Sequence, residues 1–137
     1  MKVLLDTNIV LDLLLQREPF CFDSKVIFEL IESNKIKGYL CATTITTIYY
    51  LISKNINKSQ ANNIIKQLLQ LFSISDVNKN ILVKSLDNNG KDFEDSVIYT
   101  SAEFFEIDTI ITRDKKGFKK SNININTPNE FLKNIKL

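Results

Sequence analysis

Apolar positions in this chain form short runs that alternate with longer stretches of helical spacing. Lys2 to Leu5 is a β-prone run that ends at Asp6, and Ile9 to Leu15 reads as a helix start with Asn8 as its N-cap. Arg17-Glu18-Pro19 breaks that helix. From Phe22 to Asn34, the residues Val26, Ile27, Leu30 and Ile31 recur at helical spacing behind a cap at Asp23 or Ser24. Gly38 precedes a second strand, Tyr39 to Ala42. A helix then begins at Thr43 or Thr44, with Ile45, Ile48, Tyr49 and Ile52 as its apolar stripe. Lys58 to Leu71 is the next helix, capped by Ser59, with Ile64, Ile65, Leu68 and Leu69 as the face expected to be buried.

Further along, Phe72 to Val77 reads as strand three and Asn80 to Leu86 as a short helix. Asp92 caps a helix from Phe93 to Phe105, Thr109 to Thr112 is strand four, and Ile123 to Ile125 is a weak fifth strand. The closing helix carries the clearest local signal. Thr127-Pro128-Asn129-Glu130 places Thr at N-cap, Pro at N1 and Glu at N3, which is a capping box. Strands that alternate with helices predict a parallel sheet covered on both faces. The expected fold is therefore α/β, a three-layer α/β/α arrangement with a mainly parallel sheet of about five strands, in one domain spanning residues 1–137.

Composition changes that picture mainly by what it removes. The chain has no His, which excludes His-based acid/base cleavage of RNA, Ser–His and Cys–His nucleophiles and His-ligated zinc. A net charge of +2 neither announces nor opposes a nucleic-acid partner. Cys21 and Cys41 are lone residues in apolar surroundings and read as reduced small hydrophobes. Asp6 interrupts the N-terminal apolar run too early for a signal peptide, and no uncharged apolar stretch reaches the length of a membrane span. A cytoplasmic protein without a membrane partner is expected.

The remaining chemistry lies in carboxylates. Asp6 in VLLDTN ends strand one, Asp92 and Asp95 in KDFEDSV open a helix, and Asp114 in IITRDKKGF follows strand four. Each has an ordinary explanation alone, as a cap, a dipole partner or a turn residue. In an α/β fold, however, loops after parallel strands gather at one sheet edge. Asp92, Glu94 and Asp95 also put three acids within four residues, more than capping needs. A helix N-terminus normally attracts phosphate, and carboxylates there repel it unless a cation intervenes. Gathered carboxylates suit Mg²⁺ or Mn²⁺, with Asp6, Asp92, Asp95 and Asp114 as the candidate ligands and catalytic acids. Asn8 lies beside the first acid. Arg113, Lys115, Lys116, Lys119 and Lys120 form the densest basic run in the chain, either a solvated loop or a contact to a nucleic-acid backbone. Phe118 is expected to pack on the sheet edge rather than stack on a base, and of two places for Asp12, near the crevice or on the solvated face of the first helix, the second is favoured.

Taken in order, KVLLDTN, KDFEDSVIYTSA and IITRDKKGF resemble the PIN-domain ribonuclease family, in particular its small single-domain members that include VapC-type toxins. The resemblance spans nearly the whole chain. It implies a parallel sheet between helices and an acidic Mg²⁺ or Mn²⁺ site at the sheet's C-terminal edge. It carries the family's first acid onto Asp6, the third onto Asp95 and the fourth onto Asp114, with Asp92 as an accessory acid and Asn8 as polar neighbour. It further implies endonucleolytic cleavage of RNA to 5′-phosphate and 3′-hydroxyl ends, an antitoxin partner that blocks the groove, and a homodimer.

One family position departs from the pattern. The second acid, usually a Glu on the helix after strand two, falls at Thr47, and no acid occurs from Thr43 through Asn55. Two readings of function follow: a metal-dependent endoribonuclease, or a PIN-like RNA- or partner-binding module whose nuclease activity is weak or lost. A phosphatase with an aspartate nucleophile ranks third, because it wants a second Asp where Asn8 stands.

Overall fold

The computed structural model describes residues 1–87, 92–118 and 122–135. Its centre is β1 (Lys2–Leu5), in which Val3, Leu4 and Leu5 are completely buried. A strand buried on both faces belongs inside a sheet, and β1 pairs in parallel with β2 (Lys37–Cys41) on one side and β4 (Thr109–Ile111) on the other. β3 (Ser73–Ser75) extends the sheet beyond β2, and β5 (Asn124–Asn126) beyond β4. The order is β3-β2-β1-β4-β5 with every pairing parallel. The strands are shorter than the apolar runs suggest. Strand three covers three residues of the expected six, because pairing with β2 reaches only Ser73 to Ser75.

Helices cover both faces, as the alternation of elements predicts. On one side lie α1 (Thr7–Leu14), α2 (Phe20–Glu32), α3 (Ala42–Asn55), α4 (Lys58–Leu71) and α7 (Pro128–Asn134). Their core joins Val3 and Leu5 of β1 to Ile9, Ile27, Ile48, Leu68 and Phe131. On the other side, α6 (Phe93–Phe104) packs on the sheet and α5 (Lys79–Asp87) packs on α6. Leu4 of β1 faces that second core with Tyr39, Ile98, Ile110 and Phe118. The alternation of Val3 and Leu5 against Leu4 is the period of two that assigns each face of a strand. Phe118 thus packs in the core, as its position after strand four suggests.

Several helix starts differ from the sequence expectation. Asp6, not Asn8, caps α1, accepting from the Thr7 N–H at 2.8 Å. α2 begins at Phe20, directly after Pro19, so neither Asp23 nor Ser24 is its cap. α3 begins at Ala42, at the very end of β2. Asn57 rather than Ser59 caps α4, with Oδ1 accepting from Gln60 N–H at 2.8 Å. Val26 and Leu69, expected inside, are 43% and 50% exposed, because each sits at the edge of its helix's apolar stripe. The capping box of α7 is present in full: Glu130 N–H donates to Thr127 Oγ1 and Thr127 N–H to Glu130 Oε1. The basic residues Lys119 and Lys120 lie outside the described residues.

Candidate active site

Strand order 3-2-1-4-5 reverses direction between β1 and β4, and the crevice beyond the C-terminal ends of two such strands is where open α/β sheets bind ligands. Two of the predicted acids stand there. Asp6 follows β1, its backbone N–H donating to Ile111 of β4 at 2.9 Å. Asp114 follows β4 by way of Thr112 and Arg113. The N-terminus of α6 brings Asp92 and Asp95 to the same edge.

Asp6 is 7% exposed and has no basic partner among the described residues. Its oxygens accept from the Thr7 N–H at 2.8 Å and from the Thr112 hydroxyl at 2.7 Å. Thr112 Oγ1 in turn accepts from the Asp114 N–H at 3.0 Å, so one buried hydroxyl links the first acid to the last. Burial pushes the Asp6 carboxyl above its ordinary value; those two hydrogen bonds oppose the rise, and Asp114 and Asp92 add to it. Asp95 is half-buried, and its carboxyl is pushed up to about 6, first by desolvation, then by the charges of Asp6, Asp92, Asp114 and Glu94. Asp92 caps α6, its Oδ1 accepting from Glu94 N–H at 2.9 Å. Asp114 is exposed and accepts from the Lys116 N–H at 3.2 Å.

The four predicted acids therefore share one electrostatic neighbourhood. They do not already converge on a common point: among the described residues, no three acidic or other ligating side chains lie close enough to hold an ion as they stand. Like charges at the end of a sheet hold one another apart, and backbone and hydroxyl donors take up the nearer lone pairs. The donor set still fits a hard divalent cation. It consists of carboxylate oxygens only, two of them desolvated and lacking a countercharge, which is the environment that Mg²⁺ and Mn²⁺ favour.

Of the neighbouring polar residues, Lys115 and Arg113 are engaged elsewhere among the described side chains, whereas Asn8 and Lys116 are not. Asn8 lies beside Asp6 with a buried Oδ1 that has no hydrogen-bond partner among the described residues. Lys115 pairs with Glu130 of α7 at 3.1 Å. Arg113 turns away from the acids and makes a two-pronged contact to Asp12, Nε to Oδ2 at 2.7 Å and Nη2 to Oδ1 at 3.0 Å. Asp12 is fully buried, which corrects its expected place on a solvated helix face: the side chain points inward because Arg113 meets it there. Lys116 is exposed, and no carboxylate pairs with its side chain among the described residues.

Where the family's second acid would stand there are hydroxyls. Thr47 Oγ1 donates to Thr43 O within α3 at 3.0 Å, and buried Thr44 shares a hydrogen bond of 3.0 Å with Thr7 of α1. Gly117, in the 3₁₀ turn Lys115–Phe118, lies directly against the Asp95 carboxylate. Thr7 stands beside Asp6, as the DTN run places it, whereas Thr44, Thr112 and Gly117 are parts of the site that sequence reading missed. Thr112 alone had a signal, as the residue closing TIIT two positions before Asp114.

A parallel three-layer α/β/α domain with acids from three distant segments at its switch point defines the class: an α/β protein with an acidic crevice. Within that class, the chain belongs to the PIN domain family, whose model matches residues 2–116. Ribonuclease VapC1 of Aquifex aeolicus (strain VF5) is 30% identical over 135 residues, 95% of this chain and 92% of that protein. Among solved structures, FitAB bound to the IR36 DNA fragment has a TM-score of 0.71 and 20% identity, covering 92% of this chain and 94% of that one. VapBC-1 from nontypeable Haemophilus influenzae has a TM-score of 0.68 and 16% identity, covering 94% and 99%. These two structural likenesses establish the fold. The family resemblance and the three-layer architecture read from the sequence are both borne out.

Proposed function

We propose that this protein is a metal-dependent endoribonuclease, acting as one unit over residues 1–137, with Asp6, Asp95 and Asp114 as its ion ligands and Asp92 in an accessory role. The observation that carries this reading is the pair of desolvated carboxylates, Asp6 and Asp95, each raised above its ordinary value with no basic side chain to neutralise it. Such a pair is unfavourable in isolation and becomes favourable around a divalent cation. The relation to Ribonuclease VapC1 supports RNA as the substrate. When bound, Mg²⁺ or Mn²⁺ supplies positive charge that favours deprotonation of water and stabilises charge developing on the phosphate. Asp6 is held in orientation by Thr112 and Thr7, and Asp114 by Thr112 and Lys116. Lys116 is the best placed of the basic residues to meet an RNA backbone; Lys115 and Asn8 flank the same edge.

One structural neighbour is a toxin–antitoxin complex from Klebsiella pneumoniae, which favours an antitoxin as protein partner here, with a homodimer as the expected form of the chain. No helix among the described residues is long and apolar enough to cross a membrane, and the cytoplasm is the proposed location. Incubation of the purified chain with RNA is expected to give 5′-phosphate products with Mg²⁺ or Mn²⁺ and none after chelation. Cleavage that persists in EDTA overturns the metal-dependent reading.

The absence of an acid on α3 favours one second reading, a binding module with weak cleavage. Thr47→Glu adds a carboxylate at that position. If the missing acid limits turnover, the variant should cleave RNA about 10²–10³-fold faster at saturating Mn²⁺, the range by which single electrostatic groups act in such sites. Equal rates for variant and wild type would show that the site works without that acid.

A further inference from the structure

We propose that Asp12 is a positioning residue for the acidic crevice, acting through Arg113 to fix the strand exit that carries Asp114. The inference rests on the reading of Asp114 as an ion ligand. Asp12 projects from α1 and is completely buried, yet its charge serves no cap and lies outside the acidic crevice. Both its oxygens face the Arg113 guanidinium in a fork geometry, at 2.7 and 3.0 Å, and Arg17 adds a longer contact of 3.6 Å. Phe20 of α2 lies under the same guanidinium, with Arg113 Cζ 4.0 Å from the ring centroid. Arg113 is thus held by a charge on α1 and a ring on α2.

The pairing of β1 with β4 does not depend on this arrangement. β1 and β4 already pair directly, and the Asp6 N–H bonds Ile111 across them. A buried ion pair, moreover, adds little net stability over apolar packing of the same shape. What the pair does determine is the backbone around residue 113. Thr112, on one side, is anchored by its hydroxyl to Asp6. Asp114, on the other, is exposed, and among the described residues its carboxylate accepts one hydrogen bond, from the Lys116 N–H. That exposed carboxylate takes its direction from the chain that leads into it. α1 therefore sets both ends of the crevice: its N-cap is Asp6, and its Asp12 anchors the residue before Asp114. The same contact keeps the Arg113 guanidinium turned away from the acids, where it would otherwise compete with a cation for Asp114.

The test measures Mn²⁺ binding to the full chain without RNA, by calorimetric titration, beside KM and kcat for RNA cleavage. Asp12→Asn, Arg113→Lys and Arg113→Gln are each expected to lower Mn²⁺ affinity about 10–100-fold, the effect typical of groups that orient metal ligands. kcat should fall with them while KM for RNA at saturating Mn²⁺ stays unchanged, and Asp12→Asn/Arg113→Gln should bind Mn²⁺ no more weakly than the worse single variant. Asp114→Asn is the control. If it loses Mn²⁺ affinity while folded Asp12 and Arg113 variants keep the wild-type value, the ion pair is only structural and the proposal fails. If the Arg113 variants instead raise KM without changing Mn²⁺ affinity, Arg113 contacts RNA directly and the proposal also fails. Should Asp114→Asn itself bind Mn²⁺ like wild type, the underlying ligand assignment is what fails. Arg113→Lys keeps a positive charge against the buried Asp12, so that variant decides the matter if Asp12→Asn does not fold.

Discussion

Asp95→Asn should make the protein more stable and less active at once. Desolvation, and then the neighbouring carboxylates, push the folded carboxyl up to about 6 from its ordinary value of 3.8. Between those values the folded state binds more protons than the unfolded one, so stability falls as pH rises through the window, and the penalty is complete above about pH 6. Asn carries no such penalty. Above pH 6, without divalent ions, the variant should exceed wild type by about 1 kcal/mol, a figure reduced because the half-buried group is screened by solvent. That corresponds to a melting temperature higher by about 3–5 °C. Near pH 4 the two curves should meet, and saturating Mn²⁺ at pH 7.5 should reverse their order, because the cation stabilises the charged wild-type site alone. RNA cleavage by the variant should fall about 10²–10³-fold. Calorimetry at pH 4 and pH 7.5, with and without Mn²⁺, checks all four conditions; a variant less stable than wild type in metal-free buffer at pH 7.5 would contradict the argument.

Gly117→Ala should separate activity from folding in the opposite way, by leaving stability in place. A Cβ at residue 117 would overlap Asp95 Oδ2 and stand 3.0 Å from its Cγ. The backbone of Gly117 is not in the left-handed region, so alanine fits the chain conformation and restricts the unfolded state slightly, which favours folding. The conflict is relieved by rotating the short Asp95 side chain rather than by moving a strand or helix. A carboxylate displaced by about 1 Å is enough to cost roughly 10²-fold in rate. The expected result is a wild-type melting temperature with a cleavage rate lower by about that factor. Gly117→Ala with full activity would mean that Asp95 can occupy a second productive position, and its role as a ligand would need revision.

These two residues also mark what sequence could and could not reveal. Asp6, Asp95 and Asp114 are legible because each sits at an element boundary whose pattern is local: an apolar run before Asp6 and before Asp114, a capping signal before Asp95. Topology follows from the same alternation, since parallel strands joined by helices place all those boundaries at one edge. Asp12 is not legible. Its neighbours on α1 suggest an exposed face, and the charge that draws it inside stands 101 residues further along the chain. Gly117 carries no signal either, because its importance is a steric contact with Asp95 across two elements. Helix starts mislead for a related reason. Asn57 and Ser59 are equally good caps by composition, and only the path of the chain into α4 selects Asn57. The vacancy on α3 at Thr47 was legible as a missing charge, whereas the hydroxyl link from Thr44 to Thr7 that stands nearby was not.

The position of β1 in the middle of the sheet has a consequence for the order in which the molecule is made. β1 is synthesised before the other four strands of this sheet yet ends between β2 and β4, so it waits for residues 109–111 before its second edge is paired. Asp6 waits with it, since the hydroxyl that orients it belongs to Thr112, 106 residues later. Every shorter nascent chain carries the first acid without the last. Completion of the acidic crevice is therefore deferred, by topology alone, until translation has passed the fourth strand.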